Sequence, residues 1–211
     1  MVSRLIGVGR ATWAIPVSVI PAAPPDRSAG VSINDGEDFV NTPTVRLFLG
    51  WEDLGDPEGM IDRVRVSNDG GFAPSKTQEI TLKNADSIPW KLVKLGNERI
   101  PRQVYVKFHA AGGSWLKQTY SDDIVLDTVK PTIQSANLTA GGSTTTVSAT
   151  RAVLKVRARD NRSGVKAMQT RVGPKKSRVM NFRKRVQVQQ GAVRVRVRDG
   201  AGNWSRWRQA G

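Results

Sequence analysis

Apolar residues recur at every second position in short runs along this chain, and no segment carries a sustained helical period. Such alternation places successive side chains on opposite faces of a strand, so that one face of each run can be buried and the other left in water. In the first half, Val45, Leu47, Leu49 and Trp51 share one side of a run. Val64 with Val66, Ile80 with Leu82, and Trp90 with Leu92 do the same, followed by Val104, Val106 and Phe108, and last by Ile124 with Leu126. Turn-forming residues stand between the runs: Asn68-Asp69-Gly70-Gly71, Gly96-Asn97 and Gly112-Gly113. Six or seven short strands joined in this way predict an antiparallel β-sandwich. The 20 glycines, 11 prolines and 38% hydrophobic content of the 211 residues suit thin, turn-rich β-layers better than a thick α/β core.

The second half repeats the plan. Val153–Asp160 corresponds to Val45–Asp53, and Gly164–Met168 to Gly59–Val64 with one residue fewer. Val193–Asp199 corresponds to Val104–Ala110, and Ala201-Gly202-Asn203-Trp204 to Ala111-Gly112-Gly113-Ser114-Trp115 with an offset of one residue. Two copies are too few for a solenoid, so the expectation is two sandwiches in series. Asp127-Thr128-Val129-Lys130-Pro131-Thr132 is the joint, with Pro131 suited to a strand entry because it cannot donate to a ladder. The expected organisation is an N-terminal segment over 1–30, one domain over 31–129 and a second over 130–211. The stretch Ala140-Gly141-Gly142-Ser143-Thr144 reads as a loop inside the second domain.

What the chain lacks limits its chemistry. With no cysteine, disulfides, thiolate catalysis and cysteine-held zinc or iron are excluded, and a compartment is not defined by that absence. His109 is the only histidine, no G-x-S-x-G elbow accompanies it, and no P-loop is present. The expectation is a non-enzyme without a cofactor. No run approaches the ~20 apolar residues of a membrane span. Near the N-terminus, Arg4 and Arg10 precede an apolar run from Ala11 to Ile20, and Ala22-Ala23 offers a cleavage point, as in a secretory signal. Arg10 crowds that run, Pro16 interrupts it and Pro24-Pro25 follow it, which fits an extended arm instead.

Several motifs look like those of the bacterial immunoglobulin-like repeats of secreted and cell-surface proteins. They are Val31-Ser32-Ile33-Asn34-Asp35-Gly36, Val66-Ser67-Asn68-Asp69-Gly70, Val104-Tyr105-Val106-Lys107-Phe108, and Asp123-Ile124-Val125-Leu126-Asp127-Thr128 with Lys130-Pro131-Thr132. In the second copy, Asp160-Asn161 with Ser163-Gly164-Val165, and Asp199-Gly200-Ala201-Gly202-Asn203, follow the same pattern. The resemblance covers residues 31–211 and implies two tandem Ig-like β-sandwiches in an all-β chain. The first copy departs from it: His109-Ala110-Ala111-Gly112-Gly113 has no acidic residue in the last hairpin, and the first loop is long and acidic with Glu52, Asp53, Asp56 and Glu58.

In such a sandwich the second-to-third strand loop and the last hairpin share a pole, which would bring Asp160 near Asp199. The expected role of Asp160, Asn161, Asp199 and Asn203 is to accept backbone hydrogen bonds and shape turns. Calcium at Asp160 and Asp199 is the alternative, although no D-x-D-x-D-G loop accompanies them.

Charge is the strongest functional signal. Residues 31–130 hold 12 Lys and Arg against 15 Asp and Glu, whereas residues 131–211 hold 18 against 2. Lys155, Arg157 and Arg159 share one side of a strand; Arg194, Arg196 and Arg198 share one side of another, opposite Val193, Val195 and Val197. The valines must face the core, so the arginines face out, on opposite sheets. Lys175, Lys176, Arg183, Lys184 and Arg185 extend the basic surface. Such a domain should bind an anionic surface or an acidic protein partner by charge, with affinity falling in salt. Sequence-specific nucleic-acid reading is not expected, because few aromatic residues interleave the arginines. Of Trp204 and Trp207 on the last strand, alternation sends one to the core and leaves the other as a candidate exposed anchor. The leading expectation is a structural and adhesive module of a secreted or surface protein. The alternative is a virion or filament subunit that self-assembles through the N-terminal arm.

Overall fold

The computed structural model describes residues 30–51, 61–82, 87–94, 100–140 and 151–211. The N-terminal arm or signal segment up to residue 29, the acidic loop of Glu52, Asp53, Asp56 and Glu58, the Gly96-Asn97 turn and the loop residues 141–144 lie outside the described residues.

The first half forms β1 (Gly30–Ile33), β2 (Phe39–Val40), β3 (Thr44–Gly50), β4 (Ile61–Ser67), β5 (Thr77–Thr81), β6 (Ser87–Lys91), β7 (Arg102–Ala110) and β8 (Tyr120–Leu126). They make two sheets, β1-β3-β6 and β2-β8-β7-β4-β5, antiparallel except where the short β2 runs parallel to β8. The alternating residues meet between the sheets as expected: Val45, Leu47 and Leu49 from one, Val64, Val66, Val104, Val106 and Phe108 from the other, all buried.

The second half forms β9 (Thr132–Ala140), β10 (Arg151–Arg159), β11 (Val165–Val172), β12 (Lys175–Lys176), β13 (Met180–Asn181), β14 (Arg185–Gln189), β15 (Val193–Asp199) and β16 (Arg208–Gln209). Its sheets are β14-β10-β9 and β12-β11-β15-β16, with β13 also beside β11. Leu154 and Val156 of β10 close on Met168 of β11 and on Val193, Val195 and Val197 of β15 in a separate core. The chain is therefore two all-β sandwiches in tandem.

One detail refines the alternation and one differs from the spacing. Val153 does not face the core; Ala152, Leu154 and Val156 do, and Val153 is half-buried on the outer side with its neighbours in phase. The last hairpins match without an offset. His109 bridges to Trp115 as Arg198 bridges to Trp204. The N–H of Ala110 donates to the Ser114 carbonyl at 3.2 Å, as that of Asp199 does to the Asn203 carbonyl at 3.1 Å. Ala110 thus stands where the second copy has Asp199.

Candidate functional site

The basic side chains fall on both outer faces of the second sandwich. On one face, Lys155, Arg157 and Arg159 of β10 are exposed, and Lys155 lies directly opposite Arg185 of β14. On the other, Arg194 of β15 is exposed and lies opposite Arg171 of β11. Lys175, Lys176, Arg183 and Lys184 are exposed along the edge between. Like charges facing each other across a ladder repel, and the usual remedy is an acidic neighbour. The second sandwich has almost none to offer. The only acids among residues 131–211 are Asp160 and Asp199, and Asp199 is buried at the joint.

Arg196 and Arg198 behave differently from Arg194. Both are half-buried, and the Arg196 guanidinium lies 4.2 Å from the Trp204 ring centre and 4.8 Å from that of Trp207, clamped by both. Gln169 accepts from its Nε and Nη2 at 3.0 and 2.7 Å. Arg198 lies 5.5 Å from the same Trp204 ring. The expected division of one core and one exposed tryptophan does not occur. Residues 204–207 are not a continuous strand, so strict alternation does not apply, and both rings are half-buried against Arg196. The first sandwich has the same device with the cation moved to the neighbouring strand: Arg65 of β4 stacks on Trp115 at 4.2 Å. Beside it, His109 directs Nδ1 to Asp62 at 2.7 Å while Arg63 donates to its Nε2 at 2.9 Å. The hydrogen bond with His109, helped by Arg63, holds the Asp62 carboxyl below its ordinary range.

At the joint the chain gathers acid. Carboxylate oxygens of Asp127, Asp160 and Asp199 all lie within 4.8 Å of one another. Asp127 leaves the first sandwich just after β8, its N–H donating to Val40 at 2.8 Å, and is completely buried. Asp160 follows β10, and Asp199 ends β15. Sequence reasoning placed Asp160 with Asp199; Asp127 was missed, because its partner Ser163 lies 36 residues away.

Each carboxylate accepts hydrogen bonds from protein groups around the joint. Asp127 Oδ2 accepts from the Ser163 N–H and hydroxyl at 3.1 and 2.7 Å, and its Oδ1 from the Val129 N–H at 3.0 Å. Asp160 Oδ1 accepts from the N–H groups of Arg162 and Gly164 at 3.0 and 2.8 Å. Asp199 accepts twice from Asn203, whose side chain also donates to the Asp127 carbonyl at 2.8 Å and so ties the last hairpin to the linker. Burial pushes the Asp199 carboxyl above its ordinary range, with Asp127 and Asp160 adding to the effect and the Asn203 hydrogen bonds opposing it. Arg162 approaches Asp127 at 3.7 Å.

Among solved structures, the chain resembles the fibronectin(III)-like modules of Clostridium thermocellum CbhA, with a TM-score of 0.51 and 10% identity over 85% of this chain and 91% of that one. It also resembles the FN1–FN3 domains of chicken CNTN1, with a TM-score of 0.50 and 10% identity over 86% of this chain and 66% of that one. At that identity the likeness is one of fold: tandem fibronectin(III)-like or Ig-like sandwiches. No family model matches the sequence, and no curated protein does. Among the described residues, no helix is long and apolar enough to cross a membrane.

Proposed function

We propose that this chain is a non-catalytic structural and adhesive module of a secreted or cell-surface protein, whose second sandwich holds to an anionic polymer or acidic surface. The motifs shared with bacterial Ig-like repeats and the tandem-sandwich architecture support the structural half of this reading. The observation that carries the binding half is the one-sided charge of the second sandwich. Its 18 basic residues face two acids, and the uncompensated pairs Lys155–Arg185 and Arg171–Arg194 keep positive charge at close quarters on both sheets. A polyanion relieves that repulsion and releases its own counterions on binding.

Recognition by charge spread over two faces is tolerant of sequence and shape. The two most ring-rich positions, Trp204 and Trp207, are occupied with Arg196 and are not free to stack on bases. Immobilised heparin tests the reading. The chain should be retained at low salt and elute as salt rises, with log affinity falling linearly against log salt. The triple variant K155Q/R157Q/R159Q should elute earlier without any fall in melting temperature. Its salt slope should be shallower by about one for each basic side chain that pairs with a heparin anion in the wild type. These three are better targets than Arg196 and Arg198, whose guanidinium groups also pack against tryptophan. Retention indifferent to salt, or unchanged in the triple variant, refutes the proposal.

A further inference from the structure

Basic charge covers both outer faces of the second sandwich, but the side chains that carry it are not equally free. On the face of β11 and β15 every arginine is held by the protein. Arg171 donates from Nε to the Gly173 carbonyl at 2.7 Å, and Arg194 from Nε to Gln209 at 3.2 Å. Arg196 is bonded to Gln169 and clamped by Trp204 and Trp207, and Arg198 lies over the Trp204 ring. The face of β9, β10 and β14 is the opposite case. Lys155, Arg157, Arg159 and Arg185 are exposed, and no protein group engages their charged ends. Each keeps its full set of N–H donors for a partner.

These groups form a line. Lys155, Arg157 and Arg159 follow one another on the outer side of β10, where alternate residues stand about 6.6 Å apart. With exposed Arg151 at the near end, the row runs for about 26 Å. Arg185 of β14 flanks it opposite Lys155. On the other flank, Asn137 and Ser135 of β9 stand opposite Lys155 and Arg157. The three strands contain no acidic and no aromatic residue.

We infer that this face binds one linear acidic polysaccharide laid along β10, while the β11–β15 face takes no direct part; the inference rests on the second sandwich being an anion-binding module. A line of cations meets a chain whose carboxylates or sulfates recur along its length, and arginine grips a carboxylate through two parallel N–H bonds. Asn137 and Ser135 offer donors and acceptors to the hydroxyls between those charges. An acidic protein fits less well. Protein interfaces are anchored by a buried centre of aromatic and apolar side chains, and among the described residues this face has only half-buried Val153 to offer. Single-stranded nucleic acid is held in large part by stacking on aromatic rings, which these strands lack.

The test titrates the whole chain with size-fractionated heparin oligosaccharides by calorimetry in about 0.1 M NaCl. A thymidine oligonucleotide of equal charge is the comparison and should bind more weakly. Affinity should climb with oligosaccharide length until the chain spans about 26 Å, then change little. Two variants that remove the same charge separate the faces. R157Q/R159Q should weaken binding at least roughly tenfold, and R171Q/R194Q less than about threefold. In the wild type, the largest amide chemical-shift changes on adding oligosaccharide should fall on β9, β10 and β14, a reading that needs neither variant to fold. Equal losses in the two variants, or equal shifts on both faces, overturn the inference and leave the charge-driven reading standing. Tighter binding of the oligonucleotide overturns the polysaccharide as the partner. Failure of wild type to bind heparin at all overturns both.

Discussion

Gly200 shows how a single residue shapes the joint. A Cβ there would lie 2.6 Å from the Ser163 carbonyl oxygen, a distance no real contact sustains, and that atom belongs to backbone. The close approach lets the Gly200 N–H donate to the Gly164 carbonyl at 2.9 Å, which draws the Asp160 loop against the Asp199 hairpin. Gly200→Ala must push the two loops apart, so it should cost about 1–3 kcal/mol by chemical denaturation, in the range of overpacked sites. At this scale the sequence was informative where a residue shapes its own turn: Asp160 and Asp199 stand out beside glycine and asparagine. It was silent where the partner is distant. Asp127 is 36 residues from Ser163, with which it makes two hydrogen bonds, and no local pattern marks such a pairing.

Elements with enough length to alternate were legible, and the rest were not. The valines of β15 and the aliphatic residues of β3, β4 and β7 declare their buried face over several positions. Strands β12, β13 and β16 have two residues each, too few for any period, and exist because a neighbouring ladder supplies their partners. Val153 lies in phase with Lys155, Arg157 and Arg159 on the outer side of β10 although its type suits a core, because register outranks residue type in a sheet. Register also creates a testable weakness. Lys155 and Arg185 face each other directly across β10 and β14. Arg185→Glu turns a repelling pair into an attracting one at an exposed position, so stability should rise by about 0.2–1 kcal/mol, the range of cross-strand pairs. The gain, read as a shift in denaturant midpoint, should vanish in the double variant K155E/R185E, where like charges face each other again.

At the scale of the molecule, one fold is used twice with opposite electrostatics. Each sandwich has its own core, and a tryptophan stacked on a guanidinium near its last hairpin. Only the second concentrates basic charge, 18 Lys and Arg against 2 acids, while the first, over residues 31–130, has 12 against 15. Self-repulsion of that size works against the compact state and is weakened as salt shortens the Debye length, from about 30 Å at 0.01 M to about 10 Å at 0.1 M. Calorimetric unfolding should therefore respond to salt unequally. Val195→Ala, in the second core, and Val64→Ala, in the first, identify which transition belongs to which sandwich, since both side chains are completely buried. Raising NaCl should lift the transition assigned by Val195→Ala and leave the other nearly fixed. Heparin at low salt should lift the same transition, by binding the folded state, and lose its effect as NaCl increases. Equal shifts of both transitions would show that the excess charge places no special strain on the second sandwich, and an anionic partner would then have no repulsion there to relieve.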